Sequence, residues 1–318
     1  EGYAPLRQFI IDNFYKDEKL TINNIVITHG SQQGLDLISK VFIDPGNKIG
    51  LCEPCYLGAT QVFHASMAKI ITAPSGNIKL PDVERLNKSQ LKFFYVIPDF
   101  HNPTGEQMDI ETRENLVNKL KCLIIEDTAY RLLAFDNQIT PSLFDLDKKN
   151  RVIQLGSFSK IIAPGFRIGW ICAPIDIVSK IVSSKQYSDL HSNTFGQRVI
   201  FNYLNHEDWK AQIKLIRKHY HEKRVAMSKA IEKHFPQGYK MTYPEGGMFI
   251  WVTYKNSKID FYNVLEKSIK QNVAIVPGSE FAVNNNLDSS VRLNFSHPSL
   301  EKIEKGIKIL GDIIKEMM

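Results

Sequence analysis

The stretches CLIIEDTAY, residues 122–130, and VIQLGSFSK, residues 152–160, decide the fold. Each is a short apolar run that ends in groups able to do chemistry. The first delivers Glu126, Asp127 and Tyr130; the second delivers Ser157, Ser159 and Lys160. Apolar runs this short read as strands buried on both faces, which belong to parallel sheets covered by helices. In such sheets ligands bind beyond the carboxyl ends of the strands. Polar side chains just past each run are therefore the places to search for a site.

Working outward, the same rhythm recurs. Ile25–Thr28, Ile49–Cys52, Lys69–Thr72, Phe93–Ile97 and Ile168–Cys172 join Cys122–Glu126 and Val152–Gly156 as strands. Helical periodicity fills Gln32–Phe42, Leu57–Ala65, Ile110–Leu120 and the stretch before Gln186. The alternation predicts an α/β fold whose large domain holds a mainly parallel, seven-stranded sheet covered by helices. From about residue 206 the rhythm changes. One long helical stretch, His206–His234, leads into strand-like Met241–Thr242 and Met248–Thr253, a helix at Asp260–Gln271 and an apolar run at Val273–Val276. A strand at Val291–Phe295 and a terminal helix from Ser299 complete a smaller C-terminal α/β domain. The expected division is residues 1–205 and 206–318, with the long helix as the join.

A chain of 318 residues can bury two such cores. The formal charge of +6 is spread among acidic residues with no basic block, so it reads as solvated surface rather than a nucleic-acid face. No apolar run is long enough to span a bilayer. Cys52 and Cys55 form one C-x-x-C pair; without a second pair this is a poor metal or redox motif. Cys122 and Cys172 sit in apolar runs as small hydrophobes, which fits a reducing, cytoplasmic setting. No metal is expected. Leu6, Phe9, Ile10 and Phe14 have helical spacing with no cap ahead of them, so the chain is expected to begin inside a helix.

The groups at the strand ends each admit two readings. Ser31 and Gln32, opening a helix after Gly30, form either an anion cup of free N–H groups or an ordinary N-cap. Tyr56 could stack on a flat ligand or pack in the core. Asn102 lies in His101-Asn102-Pro103-Thr104-Gly105, a turn that either merely connects or aims the amide into the cleft. Asp127, delivered by an apolar strand, needs a partner: a cationic ring nitrogen or a salt bridge. Tyr130 follows within reach of the same place. Ser157, Ser159, Lys160 and Arg167 lie within eleven residues of one strand end, hydroxyls and a guanidinium suited to a phosphate beside an amine suited to an aldehyde. Arg292, inside the apolar run Val291–Phe295, either captures a carboxylate or points to solvent from an edge strand.

In order and placement these motifs resemble the fold-type-I pyridoxal-phosphate aminotransferases of class I/II, over essentially the whole chain. The similarity is greatest to 2-aminoadipate/kynurenine-type aminotransferases, and runs from Glu1-Gly2-Tyr3-Ala4-Pro5-Leu6-Arg7 through Gly30-Ser31-Gln32-Gln33, Asn102-Pro103-Thr104-Gly105 and Gly156-Ser157-Phe158-Ser159-Lys160 to Asp189-Leu190-His191 and Gly246-Gly247-Met248-Phe249. The resemblance implies pyridoxal 5'-phosphate as cofactor, carried by Lys160 as a Schiff base, with Lys160, Asp127 and Tyr130 catalytic. It implies that Asp127 pairs with the pyridine nitrogen, Asn102 and Tyr130 contact the phenolic oxygen, and Tyr56 stacks on the ring. Ser31 and Gln32, by their amides, with Ser157, Ser159 and Arg167 would hold the phosphate; Asn102 and Arg292 would bind the substrate. It implies ping-pong exchange between an amino acid and a 2-oxo acid in a homodimer. In relatives a tyrosine before the position of Gly2 reaches the neighbouring phosphate, and a further segment covers the substrate; both would precede Glu1. Regulators in which a DNA-binding winged helix precedes an aminotransferase-like effector domain share these residues and give the alternative reading.

Overall fold

The strands form where branched and aromatic residues cluster, and the turns form where the apolar runs stop. The computed structural model describes residues 1–318 apart from Asn137 and residues 256–258. In chain order the first part contains α1 (Ala4–Phe14), β1 (Ile25–Thr28), α2 (Gly30–Phe42), β2 (Lys48–Glu53), α3 (Leu57–Ala65) and β3 (Lys69–Pro74). Then come α4 (Leu80–Lys88), β4 (Phe93–Val96), α5 (Ile110–Lys119), β5 (Leu123–Asp127), α6 (Leu143–Leu146), β6 (Val152–Ser157) and β7 (Gly169–Cys172). Helices α7 (Ile175–Asp189), α8 (Thr194–His206) and α9 (Trp209–His234) lead to β8 (Tyr239–Met241), β9 (Phe249–Tyr254), α10 (Phe261–Ile269), β10 (Val276–Pro277), β11 (Ser290–Asn294) and α11 (Leu300–Met317).

The large sheet has seven strands in the order β1-β7-β6-β5-β4-β2-β3. All neighbours from β3 to β6 pair parallel; β7 alone runs antiparallel, between β6 and β1. The mainly parallel sheet expected from the alternation is therefore present. A second, antiparallel sheet of order β10-β11-β9-β8 packs against α9, α10 and α11 around its own core.

Three readings change. Helix α1 starts at Ala4 with Pro5 in its first turn, so the chain does not begin inside a helix. The long helical stretch His206–His234 is present as the single helix α9 but starts only at Trp209, where Asp208 accepts a hydrogen bond from the Ala211 amide; His206 is the last residue of α8. Of the apolar run Val273–Val276 only Val276 enters a strand, the two-residue β10.

Alternation along β5 sorts its side chains to opposite sides of the sheet. Ile124 and Ile125, both fully buried, enter different cores. The two adjacent carboxylates part in the same way. Glu126 turns away and accepts hydrogen bonds from the Leu143 and Phe144 amides at the start of α6 and from Gln154 Nε2, at 2.8, 3.0 and 2.9 Å. Asp127 is left to face the other side. Cys52 and Cys55 likewise belong to separate cores, and burial pushes the Cys52 thiol up to about 12. They therefore act as packed hydrophobes, not as a joint redox or metal pair.

Gly156 lies near the end of β6 directly against Trp170, and a Cβ there would overlap the indole ring. We expect Gly156→Ala to destabilise the fold by about 1–3 kcal/mol through overpacking. A denaturation midpoint equal to that of the parent protein would contradict this packing.

Candidate active site

Because β2, β4, β5 and β6 run parallel, their carboxyl ends open on one edge of the sheet. Onto that edge come Tyr56 after β2, Asn102 after β4, Asp127 at the end of β5 and Lys160 just after β6. Helix α2, following β1, starts there as well, and its free N–H groups face any ligand placed at the edge.

Asp127 is 4% exposed, and hydrogen bonds rather than an ion pair hold it: Tyr95 Oη donates at 3.1 Å and the Ala129 amide at 3.1 Å. Burial raises its carboxyl to about 6, against these hydrogen bonds and the nearby Lys160. Lys160 Nζ lies 5.9 Å from the centre of the Tyr130 ring. Burial first, then the Arg167 charge, lowers its pKa, which favours the neutral amine. Burial, followed by the Asp127 charge, raises the Tyr130 phenol, so it remains protonated.

Asn102 links the two sheets. Its Nδ2 donates to Tyr130 Oη at 3.2 Å, while its Oδ1 accepts from Arg292 Nη1 at 2.9 Å. Arg292 therefore points inward from β11 and not to solvent, with its guanidinium 4.4 Å from the Phe249 ring centre and 4.9 Å from that of Phe281. Its Nε is buried without a hydrogen-bond partner, which leaves a donor ready for an anion.

A second anion-seeking cluster lies at the start of α2. Ser31 Oγ donates to the Gly156 carbonyl at 3.4 Å, Ser157 Oγ accepts from the Ser159 amide at 3.1 Å, and Arg167 Nη1 reaches Ser159 Oγ at 3.5 Å. Gly30 has a φ of +71°, and a Cβ on it would stand 2.8 Å from Arg167 Nη2. Only glycine leaves this cradle open. The Gln32 side chain is committed elsewhere: it accepts from Tyr56 Oη at 3.1 Å and donates to the Gly58 carbonyl at 2.7 Å. Only its backbone amide is left for an anion.

The sequence-derived residues thus converge on one cleft. Tyr95, Phe249 and Phe281 also belong to it and were not anticipated. Tyr95 had a signal, since a phenol in the buried run Phe93–Val96 must find a partner for its hydroxyl. The two phenylalanines had none, because apolar residues in strands and turns are expected in any core. The edge offers a buried carboxylate, an amine whose pKa is lowered and a phenol, with cationic and N–H donors at either end. A flat molecule with a basic ring nitrogen and a phosphate would satisfy them.

A family model described as aminotransferase class I and II matches residues 1–310. Aromatic-amino-acid aminotransferase 1 of Thermococcus litoralis is 38% identical, over 100% of this chain and 79% of that protein. The crystal structure of LysN, the alpha-aminoadipate aminotransferase of Thermus thermophilus, complexed with N-(5'-phosphopyridoxyl)-L-leucine, superposes with a TM-score of 0.94 at 34% identity; the match covers 100% of this chain and 82% of that one. The uncharacterized HTH-type transcriptional regulator YdfD of Bacillus subtilis is 30% identical, over 100% of this chain and 67% of that protein.

Between the unfolded value of 3.8 and the folded value of about 6, the folded chain holds its Asp127 proton more tightly than the unfolded one. Stability is therefore lost as pH rises through this window, and the penalty is complete above it. In the ligand-free protein, Asp127→Asn should raise stability at pH 8 by on the order of 2 kcal/mol, and the gain should vanish near pH 4. Denaturation curves at the two pH values check this; an equal gain at both would exclude it.

Proposed function

This chain belongs to the aminotransferase class I and II family, and on that premise we propose how its own residues carry out pyridoxal-phosphate-dependent amino-group transfer. The observation that carries the reading is the buried Asp127, held by Tyr95 and the Ala129 amide and without an ion pair among the described residues, near Lys160, whose pKa is lowered by its burial and by Arg167.

Asp127 would hold the cofactor's ring nitrogen in its protonated form, the partner that its buried carboxylate lacks. Tyr130 and Asn102 would hold the phenolic oxygen, and Tyr56 would lie against the ring. Ser31 and Gln32, through their amides, would hold the phosphate together with Ser157, Ser159 and Arg167. When bound, the cofactor supplies an electron sink for charge at the substrate Cα and stores nitrogen between half-reactions. Lys160 Nζ, whose pKa burial and Arg167 lower, would take the Cα proton and give it back. Tyr95 fixes the Asp127 carboxylate so that it need not reorient.

Arg292 and Asn102 would bind the amino acid's carboxylate. The free Nε and the inward guanidinium suit a two-oxygen acceptor. We take the donor to be an amino acid of the 2-aminoadipate, aromatic or branched type, and the acceptor a 2-oxo acid such as 2-oxoglutarate; the aromatic-amino-acid and aminoadipate relatives support this choice. We divide the chain into a cofactor-binding part, 1–205, and a part comprising the long helix and small sheet, 206–318, supported by the two sheets and their separate cores.

We also propose a homodimer that buries Tyr187, Leu190 and Phe195, which are 92%, 78% and 75% exposed. These residues flank Asp189, which is bonded by Gln33 Nε2 from the start of α2 at 2.7 Å, so the patch adjoins the site. Among the described residues no helix is long and apolar enough to cross a membrane. We take the setting to be cytoplasmic, a reading supported by four cysteines left as free thiols, of which Cys52, Cys55 and Cys172 are buried. An effector domain of a regulator is the second reading, favoured by the YdfD match, at lower identity than Aromatic-amino-acid aminotransferase 1.

Borohydride reduction of the cofactor-loaded protein followed by peptide mapping should place a pyridoxyl adduct on Lys160. An adduct on any other lysine would reject the assignment. Offered L-2-aminoadipate, L-phenylalanine or L-leucine with 2-oxoglutarate, the enzyme should release the matching 2-oxo acid through many turnovers. A single conversion without turnover would favour the regulator.

A further inference from the structure

Glu53 ends β2, three residues before Tyr56, and is 6% exposed. Its Oε1 accepts three consecutive backbone N–H groups, from Val283, Asn284 and Asn285, at 2.6, 2.7 and 3.0 Å. Its Oε2 accepts from Asn285 Nδ2 at 2.6 Å. Successive amides that converge on one oxygen make an anion nest, and here the anion is a side chain from the other end of the chain. The turn carrying these amides joins β10 and its following 3-10 turn, Gly278–Phe281, to β11. It therefore belongs to the small sheet, whereas Glu53 belongs to the large one.

Two more bonds close the same seam. The Cys55 amide donates to the Phe281 carbonyl at 2.9 Å, and Asn284 Nδ2 donates to Thr72 Oγ1 at 3.2 Å. Phe281 is one of the two rings against the Arg292 guanidinium, and its other side meets Trp251 edge-on at 5.8 Å. A short chain of contacts thus runs from Glu53 through the 283–285 turn and Phe281 to Arg292.

We propose that Glu53 is a positioning residue for the substrate carboxylate. Its carboxylate latches the 283–285 turn onto the end of β2, seats Phe281 against Arg292, and thereby sets the guanidinium relative to the cofactor side of the cleft. This rests on the reading of Arg292 given above. The latch is demanding because both halves lose if it opens. A buried carboxylate without donors is costly, and three converging N–H groups without an acceptor repel one another. Any movement of the small sheet that breaks the seam must expose both to water. The closed register of Arg292 is therefore held by a charge that never touches substrate. Among the described residues no hydrogen bond joins Tyr56 or the phosphate cluster to this turn, so the latch is expected to act on substrate binding rather than on cofactor retention.

The test uses the full-length, cofactor-loaded enzyme with the fastest donor among L-2-aminoadipate, L-phenylalanine and L-leucine. Glu53→Ala, Glu53→Gln, Asn285→Ala and Arg292→Ala are compared for KM, kcat and cofactor dissociation. Glu53→Ala should raise the donor KM by about tenfold, the scale of a lost charge-assisted hydrogen bond, with cofactor dissociation unchanged. Glu53→Gln and Asn285→Ala should raise it less, and they carry the test if Glu53→Ala does not fold. Added to Arg292→Ala, Glu53→Gln should raise KM by less than about twofold, because the two act through one group. If Arg292→Ala leaves KM unchanged, the carboxylate reading fails. If Arg292→Ala raises KM while Glu53→Gln and Asn285→Ala keep the parent value, the latch fails. It also fails if the Glu53→Gln effect persists in full without Arg292, or if cofactor loss matches the rise in KM.

Discussion

A carboxylate buried at the end of β5 and satisfied by a phenol and one amide, with no ion pair among the described residues, sets the terms for the whole site. Asp127 is raised to about 6 by its burial, a cost that the Ala129 and Tyr95 hydrogen bonds and the nearby Lys160 offset only in part. The neighbouring Glu126 shows what structural satisfaction looks like: two amides at a helix start and a glutamine amide enclose it. Two adjacent carboxylates on one strand thus meet opposite fates because alternate side chains face opposite layers. One closes a gap in the fold, while the other waits for a ligand.

The remainder of the site follows from that unmet demand. The desolvation that raises Asp127 also lowers Lys160, and Arg167 pushes the lysine further the same way. A group that binds between them meets a carboxylate, an amine of lowered pKa and, at the start of α2, a collection of donors. The parallel sheet brings these together because its strand ends lie side by side, though their residues are far apart in sequence. The small sheet adds Arg292 across the cleft, tied to the large one through Asn102. Its position is determined by contacts that cross between sheets, including the Glu53 turn.

Much of this was legible before any coordinates. The apolar runs marked the seven strands of the large sheet, and the polar residues just beyond them marked the cleft, because buried strands and ligand-binding loops differ sharply in composition. The errors lay where a local pattern is ambiguous. Residues 206–234 are helical in periodicity almost throughout, so the break at Glu207–Asp208 is carried only by a capping aspartate. The start of α1 was missed because its signal is Pro5 in the first turn, not a capping side chain. The Cys52–Cys55 spacing, read as a poor metal or redox motif, does put the two thiols in different cores, separated by a strand end and a turn.

The sequence by itself determined the class of fold, the order of the site groups along the chain and the chemistry each could offer. Those follow from local composition and periodicity, which the chain carries wherever it is read. Whether Arg292 faced solvent or the cleft, whether Tyr95 served Asp127, and which acceptor would fill the 283–285 turn were decided only by tertiary structure. Each depends on a partner more than thirty residues away, or on the other sheet, and no local pattern encodes the orientation of a side chain toward a neighbour that distant. The strand ends of 122–130 and 152–160 announced a site; packing between the sheets gave it a geometry.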